Sequence, residues 1–317
     1  RDHVDLRNPL QVKELLGSVG IAVTTTRAGE LEPYRHTHPV VDALLTWRKN
    51  ERIATTYGYR WLDEHVGPDD RLRGEWSACD GGAGRMTAGS GLHSLPVGMR
   101  EAVVAEPGHT FVRADLGQIE PRVLAVVAGD ERLAAATQAD DLYAPVAHTL
   151  GVERSVAKVA FLSAMYGGQA GQAAAVLAQL RAAYPRAVAT LDRAERIGAE
   201  QGELRTWGGR RLPLGWGDYQ HALSRGRFAR NAIIQGAAAE LFEAWMATLR
   251  HDLRGTSARI VLCLHDEVLV HAPQEQAAQV ADAMHSSLDA ASRRWSGGMP
   301  VRFVADVRAM TSWAEAK

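Results

Sequence analysis

Two acidic residues that lie far apart in the chain stand where β-strands are predicted to end. Asp115 is next to last in the β-compatible run "TFVRADL", and Asp266 lies in the turn of the predicted hairpin "RIVLCLHDEVLVHAP". Magnesium favours one or two carboxylates together with substrate phosphate oxygens, and two ions about 3.5 to 4 Å apart can activate a hydroxyl and stabilise a leaving oxygen. The pair fits metal-assisted phosphate chemistry, although a single acid at a strand end is more often a cap or a surface residue.

A second set of residues recurs at every fourth position and would share one face of a helix. Two cations beside an aromatic ring fit a nucleoside triphosphate, because the cations can bind the phosphates while the ring lies near the base. A partly solvated amphipathic helix has the same spacing, so this face needs its structural context. The members of the set are Arg154, Lys158, Leu162 and Tyr166.

These residues need a scaffold, and the pattern from Thr110 onward predicts one. "TFVRADL" predicts a strand, "QIEPRVLAVVAGD" a helix that ends at Gly129, and the stretch from Val152 to Tyr166 a second helix. A further helical stretch starts near Ala170 and continues through "RAERIGAEQG" with a break at Pro185. A strand, a turn and a helix are therefore followed by a helical lobe.

The last hundred residues predict two hairpins around a long helix. "ELRTWGGRRLPL" has β-compatible arms around Gly208 and Gly209, and Ser224 is the expected cap of a helix that ends at Gly255. The hairpin with Asp266 follows, and after it come a helix and a last strand, "PVRFVADVRA". The chain is therefore expected to be an α+β protein.

The first hundred residues are predicted to be helices joined by loops. Asn8 is the expected cap of a helix with Pro9 in its first position, and "HPVVDALLTWRKNERIATTYGYRWLDEHV" predicts one longer helix. The glycine-rich segment "SACDGGAGRMTAGSGLHSLPVG" allows two interpretations that the sequence does not separate, a flexible linker or a backbone-close contact with a ligand.

Composition is that of an ordinary folded protein. The 317 residues are 46% hydrophobic and 23% charged, and Cys79 and Cys263 have no CxxC spacing that would indicate a disulfide framework or a zinc site. No apolar run approaches the roughly 20 residues needed to cross a bilayer. We therefore expect a cytoplasmic protein with no membrane association. His36 and His38 form an HxH pair in a polar loop, which is usually only solvated.

Charge is distributed unevenly, although the formal net charge is −1 and the pI is about 6.9. The global balance gives no footprint of nucleic-acid binding. One segment is nevertheless rich in arginine, whose guanidinium fork suits phosphate oxygens. The segment fits either a nucleic-acid contact or a solvated surface run. Its arginines are Arg205, Arg210, Arg211, Arg225, Arg227 and Arg230.

Taken in order, three segments make the pattern specific. "DLGQIEPR" resembles the first motif of the family A DNA polymerases, the group of bacterial DNA polymerase I, and "RSVAKVAFLSAMYGG" resembles the second motif. "LHDEVLV" is similar to the third motif. "GAGRM", "GGRRLPL", "RFARNAIIQGAAAE" and "VRFVADVRAMTSW" also resemble family segments, so the resemblance covers nearly the whole chain.

The resemblance implies a role for each matching position. Two Mg²⁺ ions, or Mn²⁺ in their place, would be bound by Asp115, Asp266 and the backbone carbonyl of Leu116. The catalytic residues would be Asp115, Asp266, Glu267 and Lys158. The incoming deoxynucleoside triphosphate would contact Arg154, Lys158, Leu162, Tyr166, Glu120, Gln118 and Tyr143, with Glu120 blocking the sugar edge against ribonucleotides. Primer-template DNA would contact Arg85, Arg227, Asn231, Gln235, His265 and Arg211.

The sequence departs from the family pattern at two positions beside the expected nucleotide. Leu162 stands where the family usually has Phe or Tyr, and Phe161, one residue earlier, lies on another face because a helix turns about 100° per residue. Tyr143 stands where a histidine is common. Weaker stacking on the nucleotide and a raised Michaelis constant are therefore expected.

The resemblance implies a right-hand polymerase fold with an antiparallel palm sheet and a helical fingers lobe. The expected regions are thumb base and palm entry over 1–95, palm over 96–130, fingers over 131–215 and palm again over 216–317. Most of a thumb and any proofreading domain are expected to be missing. We therefore predict a weakly processive, repair-like DNA polymerase, associated with the nucleoid and with no protein partner identified.

Three alternatives predict different features. A degenerate protein that binds primer-template DNA without extending it would account for Leu162 and Tyr143, but both aspartates, Arg154 and Lys158 argue against it. An RNA-copying or primase-like enzyme would be expected to relax the steric block at Glu120. A two-metal nuclease gives no reason for the face of cations and tyrosine.

Overall fold

The computed structural model describes residues 4–167, 173–200, 202–214 and 221–316. The chain forms two compact units, Arg1–Gly74 and Glu75–Lys317. The helices are α1 (Pro9–Ser18), α2 (Ala28–Leu31), α3 (Pro39–Thr56), α4 (Tyr59–His65), α5 (Val97–Arg100), α6 (Ile119–Ala128), α7 (Glu131–Ala136), α8 (Tyr143–Leu150), α9 (Arg154–Tyr166), α10 (Ala173–Ala183), α11 (Pro185–Ala199), α12 (Ala222–Asp252) and α13 (Ala277–Trp295). The strands are β1 (Trp76–Ser77), β2 (Thr87–Ala88), β3 (His109–Leu116), β4 (Arg259–Leu264), β5 (Glu267–Pro273) and β6 (Ala305–Met310).

The first unit packs its helices around a small apolar core. As predicted, Asn8 caps α1, and its side chain accepts a hydrogen bond from the N–H of Leu10 at 3.0 Å. The prediction of one longer helix is wrong, because α3 ends at Thr56 and α4 begins at Tyr59. A Cβ at Gly58 would lie 2.4 Å from the carbonyl oxygen of Ala54, so only glycine fits at this break.

The second unit is built on a four-stranded antiparallel sheet in the order β4-β5-β3-β6. The predicted first strand and hairpin are confirmed as β3 and as β4–β5. The last strand begins at Ala305 rather than at Pro300. The residues before Ala305 make hydrogen bonds outside the sheet ladder. The N–H of Arg302 donates to Thr137 Oγ1 at 3.2 Å, and the carbonyl of Val304 accepts from the N–H of Gly117 at 2.9 Å.

Helices cover this sheet and hold the main core. The long α12 packs against α6, α11 and α13, and α13 packs on β3, β5 and β6. Ser224 is not the cap of α12 as predicted, because the helix begins at Ala222 and Ser224 Oγ donates to the carbonyl of His221 from within the first turn. The predicted break at Pro185 is confirmed, since α11 begins there.

The glycine pair Gly208–Gly209 makes a tight turn, with Gly209 at φ +93°. The predicted arms pair over too short a length to form strands among the described residues. One bridge joins Arg205 to Arg211, and the N–H of Leu212 donates to the carbonyl of Leu204 at 2.9 Å. In the part of the chain that the structure describes, no helix combines the length and apolarity needed to span a bilayer.

Candidate active site

Strand register brings acidic side chains from separate strands to one edge of the sheet. Asp115 on β3 lies directly opposite Glu267 on β5 and Asp306 on β6. Asp266 precedes Glu267 in the β4–β5 turn, and its carbonyl accepts from the N–H of Leu116 at 3.0 Å. The structure therefore brings the two predicted metal ligands together, and it adds Asp306, which the sequence reasoning missed.

The carboxylates at this edge are crowded and partly removed from water. Burial raises the pKa of Asp115 to about 6, with the charge of Asp266 as the next cause, while Arg113 opposes the rise. Burial also raises the pKa of Asp266. A group of oxygen donors that repel each other suits a small hard cation such as Mg²⁺. The residues present therefore fit a divalent metal site.

A buried arginine, which the sequence patterns also did not indicate, holds two of these carboxylates. Arg113 Nη2 donates to Asp115 Oδ2 at 2.5 Å and to Glu267 Oε2 at 3.0 Å. Burial alone would lower the pKa of Arg113, but the hydrogen bond with Glu267 and the charges of both carboxylates raise it. Trp313 Nε1 donates to the other oxygen of Glu267 at 2.9 Å. Glu267 is thus fixed between Arg113 and Trp313 at the edge of the site.

Replacing Arg113 by methionine is expected to lower the free energy of unfolding by about 3 kcal/mol, because carboxylates beside a buried site lose their counter-charge. Arg308 on β6 lies opposite Arg113, but its side chain is largely exposed and pairs with Asp306 at the surface. Arg308→Met is therefore the matched control, with a change within about 0.5 kcal/mol. Urea denaturation measures both, and equal losses in the two variants would show that Arg113 has no special role.

Helix α9 carries four of the predicted nucleotide-binding residues, and they differ in burial and in their contacts. Lys158 is exposed, and its side chain makes no hydrogen bond or ion pair with any described residue. Leu162 is half-buried, and Phe161 is buried with its ring 6.3 Å from the ring of Tyr143 in an edge-to-face arrangement. The expectation that Phe161 does not replace the missing aromatic ring at position 162 is consistent with this packing.

Asp141, which no sequence pattern had indicated as a site residue, holds Arg154. Arg154 Nε donates to Asp141 Oδ2 at 2.5 Å and Nη2 donates to Oδ1 at 3.1 Å. Gln118 Nε2 also donates to Asp141 Oδ1, at 3.0 Å. Gln118 precedes the first residue of α6 and has a left-handed φ of +53°. Two predicted nucleotide-binding residues therefore share one carboxylate.

A cavity of about 310 Å³ lies between the acidic edge and α9. Glu120 is held at its wall, because Arg85 Nη2 donates to one carboxylate oxygen at 2.7 Å and Tyr166 Oη donates to the other at 3.2 Å. Burial raises the pKa of Tyr143 to about 12. The lining residues are Arg85, Gln118, Ile119, Glu120, Pro121, Tyr143, Leu162, Ala238, Ala239, His265 and Asp266.

The remaining predicted DNA-binding residues are not all at this cavity. Burial raises the pKa of Tyr166, and the side chains of Asn231 and Gln235 on α12 oppose that rise. Arg227 is exposed on the same helix. His265, in the β4–β5 turn, has a left-handed φ of +55°. Arg211 does not line the cavity; it lies in the Gly208–Gly209 hairpin, 3.9 Å from Glu203.

The arginine-rich segment is not one solvated run. Arg230 is buried, and it pairs with Asp192 at 2.7 Å and with Glu195 at 2.8 Å. Arg225 is also buried, with Nη2 donating to the carbonyl of Ala199 at 3.0 Å. These two guanidinium groups join α12 to α11, so they are structural rather than available to phosphate.

Comparison with known proteins gives concordant matches. The model of the DNA polymerase family A matches residues 4–315. DNA polymerase I of Chloroflexus aurantiacus is 31% identical over 313 residues, which cover 88% of this chain and 33% of the relative. The thermostable DNA polymerase I of Thermus thermophilus is 30% identical over 301 residues, covering 84% and 36%. The chain spans about a third of the length of these curated relatives.

A solved structure matches the fold. The POL domain of Pol1 from M. smegmatis, solved in complex with DNA primer-template and dNTP, superposes with a TM-score of 0.82 at 24% sequence identity. The match covers 99% of this chain and 62% of that chain. The predicted α+β polymerase fold is thereby confirmed for this chain.

Proposed function

Because the chain belongs to DNA polymerase family A, we propose that it is a template-directed DNA polymerase that adds deoxynucleotides to the 3′ end of a primer. One observation carries the proposal. The carboxylates of Asp115 and Asp266 meet at one sheet edge, and a cavity lies between that edge and the helix that presents Arg154 and Lys158. Phosphoryl transfer depends mainly on such positioning and charge neutralisation.

The acidic edge is the proposed metal site. Asp115, Asp266 and the carbonyl oxygen of Leu116 would hold two Mg²⁺ ions, or Mn²⁺, which would activate the primer hydroxyl and stabilise the leaving oxygen. Arg113 keeps the carboxylate of Asp115 oriented, and Glu267 supports the same edge. The raised pKa of Asp115 supports this role, because a carboxylate whose charge is disfavoured in the isolated fold gains most from a neighbouring cation.

Binding of the triphosphate requires an exchange of partners on α9. Arg154 cannot keep both of its hydrogen bonds with Asp141 and also bind phosphate oxygens, so we infer that it leaves Asp141 when the nucleotide enters. Lys158 needs no such exchange. The proposed regions are fingers over 131–215, palm over 96–130 and 216–317, and palm entry and thumb base over 1–95. Closure of the fingers would bring both cations onto the phosphates.

Selection of the sugar is proposed to rest on Glu120. Arg85 and Tyr166 hold its carboxylate at the cavity wall, which fixes the position of the acid that would meet a 2′-hydroxyl. Asn231 and Gln235 reach the same tyrosine from α12. The proposed contacts with primer-template DNA are Asn231, Gln235, Arg85, Arg227 and His265, and Arg211 would contact the DNA from its hairpin. The matched POL domain of Pol1 was solved with such a DNA and a dNTP, which supports the choice of partners.

Replacing Leu162 by phenylalanine is expected to lower the Michaelis constant for deoxynucleotides about fivefold, because an aromatic ring adds roughly 1 kcal/mol of stacking beyond its apolar area. Leu162 lines the cavity beside Tyr143, so a ring there would face the nucleotide. Leu223→Phe, on the exposed start of α12, is the matched control. Steady-state insertion kinetics measure the effect, and an unchanged or higher constant in Leu162→Phe would contradict it.

The proposal is tested by insertion opposite each of the four template bases. Purified protein is mixed with a labelled primer-template, Mg²⁺ and one deoxynucleotide at a time. Addition of the complementary nucleotide in each case is the expected result. Addition that ignores the template, or tight binding of the primer-template with no addition at all, would overturn the proposal.

A further inference from the structure

We propose that Glu106, His109 and His271 form a Zn²⁺ site at the end of the sheet opposite Asp115. One ligand atom from each residue lies within 4.8 Å of those of the other two. Among the described residues, this is the group of three potential ligands that meets this distance. The proposal is independent of the polymerase function, because none of its residues lines the cavity or belongs to α9.

A rigid turn places two of the three ligands. The N–H of His109 donates to the carbonyl of Glu106 at 2.9 Å, and Gly108 has φ +76°. Proline in the second position and glycine in the third are the residues that a type II turn requires. The carbonyl of Gly108 also accepts from the N–H of Gln274 at 3.1 Å, which ties the turn to the end of β5. The first and last residues of the turn are therefore held side by side.

Strand register supplies the third ligand. His271 on β5 lies opposite Phe111 on β3, and His109, two residues before Phe111, is on the same face of the sheet. The two imidazole rings are 4.7 Å apart with an angle of 7° between their planes. Both histidines are half-buried and Glu106 is exposed, so a hydrated ion can reach them from solvent.

The hydrogen bonds of the two rings favour lone pairs on Nε2. His109 Nδ1 lies 3.3 Å from the carbonyl of Pro107, so a proton on Nδ1 leaves Nε2 as the donor atom for a metal. Such a bond from the second ring nitrogen to a carbonyl is typical of histidine ligands. His271 Nε2 accepts the N–H of Glu106 at 3.2 Å, so this nitrogen also carries a lone pair, and a metal bound there would replace that hydrogen bond.

The chemistry of two imidazoles and one carboxylate favours Zn²⁺ over Mg²⁺. Zn²⁺ takes His₂Glu sets with a water in the fourth position, at bonds of about 2.0 to 2.2 Å, whereas Mg²⁺ prefers oxygen donors. The three ligand atoms lie within 4.8 Å of one another, so side-chain rotation would have to bring them onto the ion. Arg259, opposite His271 on β4, donates its Nη1 to the carbonyls of Thr256 and Ala258, which directs its guanidinium to those carbonyls.

The site is distinct from the acidic edge and would act as a staple. His109 is six positions before Asp115 on β3, which is about 20 Å at the rise of an antiparallel strand. A metal bound here joins the Glu106–His109 turn to β3 and β5, the two strands that carry Asp115 and Glu267. Zinc is therefore expected to raise the stability of the sheet without being a reactant.

The proposal is tested by isothermal titration calorimetry, in which ZnCl₂ is added to the tag-free protein in excess Mg²⁺, and by thermal melting with and without Zn²⁺. We expect one Zn²⁺ bound per chain and a higher melting temperature in its presence. His109→Gln and His271→Gln, which preserve side-chain size, should weaken binding at least about tenfold. His93→Ala is the matched control, because His93 and His265 form a second close pair of rings, 4.5 Å apart. This variant should bind Zn²⁺ like the unaltered protein.

X-ray absorption of the zinc complex identifies the ligands independently. The expected shell contains nitrogen and oxygen only, and the imidazole signature should be weaker in each glutamine variant because one of the two histidines is gone. Sulfur in the shell would assign the ion to Cys79 or Cys263 and overturn the proposal. Binding that is unchanged in His109→Gln and His271→Gln, or binding that disappears only in His93→Ala, would overturn it as well. Circular dichroism of each variant verifies that the fold is retained.

Discussion

Replacing Lys158 by alanine is expected to lower the kcat/KM of deoxynucleotide insertion by about 10²- to 10³-fold, the loss typical of one preorganised charge at a reacting phosphate. The fold should be unaffected, because Lys158 is exposed and contacts no described residue through a hydrogen bond or an ion pair. The free energy of unfolding should therefore change by less than about 0.5 kcal/mol. A large kinetic loss with no structural loss is the signature of a group that meets only the substrate.

Two further variants separate this role of Lys158 from a general effect on α9. Val159→Ala, at a neighbouring residue with 58% exposure, should insert nucleotides at the unaltered rate. Lys158→Arg keeps the charge and should recover part of the activity, although a planar fork is not equivalent to an ammonium group. Equal losses in Lys158→Ala and Val159→Ala would mean that α9 itself had been disturbed, and the assignment of Lys158 to the triphosphate would fail.

Replacing Asp266 by asparagine is expected to abolish insertion, by about 10³-fold or more, and at the same time to stabilise the metal-free protein near neutral pH. Burial raises the pKa of Asp266 in the folded state. A carboxyl whose folded pKa lies above its unfolded value binds more protons when folded, so its ionisation costs stability as the pH rises through that range. Asparagine removes this cost while it keeps nearly the same shape.

Urea denaturation at acidic and at near-neutral pH measures the sign of the Asp266 effect. The gain in stability of Asp266→Asn should be present near neutral pH and should vanish at acid pH, where the aspartate is protonated. Asp282→Asn, at an exposed position on α13, is the control and should show neither the gain nor the loss of insertion. A variant that is both inactive and destabilised at neutral pH would point to a structural role for Asp266 instead.

Local patterns predicted the elements that carry the site. Asp115 could be assigned to a strand end because "TFVRADL" has β-compatible residues up to the acid, and Asp266 to a turn because two apolar runs flank it. Both assignments are confirmed by β3 and by the β4–β5 hairpin. The positions of α9 and of the break at Pro185 are likewise set by neighbours in sequence, through helical periodicity and the geometry of proline.

Residues that act across strands or between helices could not be predicted in the same way. Arg113, Asp141 and Asp306 take their roles from register and packing, which bring each of them to a partner on another element. One signal was present for Arg113, since it is two residues before Asp115 and therefore on the same face of the strand. The burial of Arg230 had no local signal, because its partners on α11 are more than thirty residues away.

The most direct test of the proposed function is the dependence of single-turnover insertion on Mg²⁺ in the unaltered protein and in Asp115→Asn. The primer-template affinity of both proteins is measured beforehand, so that any difference in insertion refers to the bound complex. We predict that insertion by the unaltered protein rises with Mg²⁺ to a plateau, while Asp115→Asn stays at background at every Mg²⁺ concentration. Insertion by Asp115→Asn that reaches the same plateau would contradict the assignment of the metal site to Asp115 and Asp266.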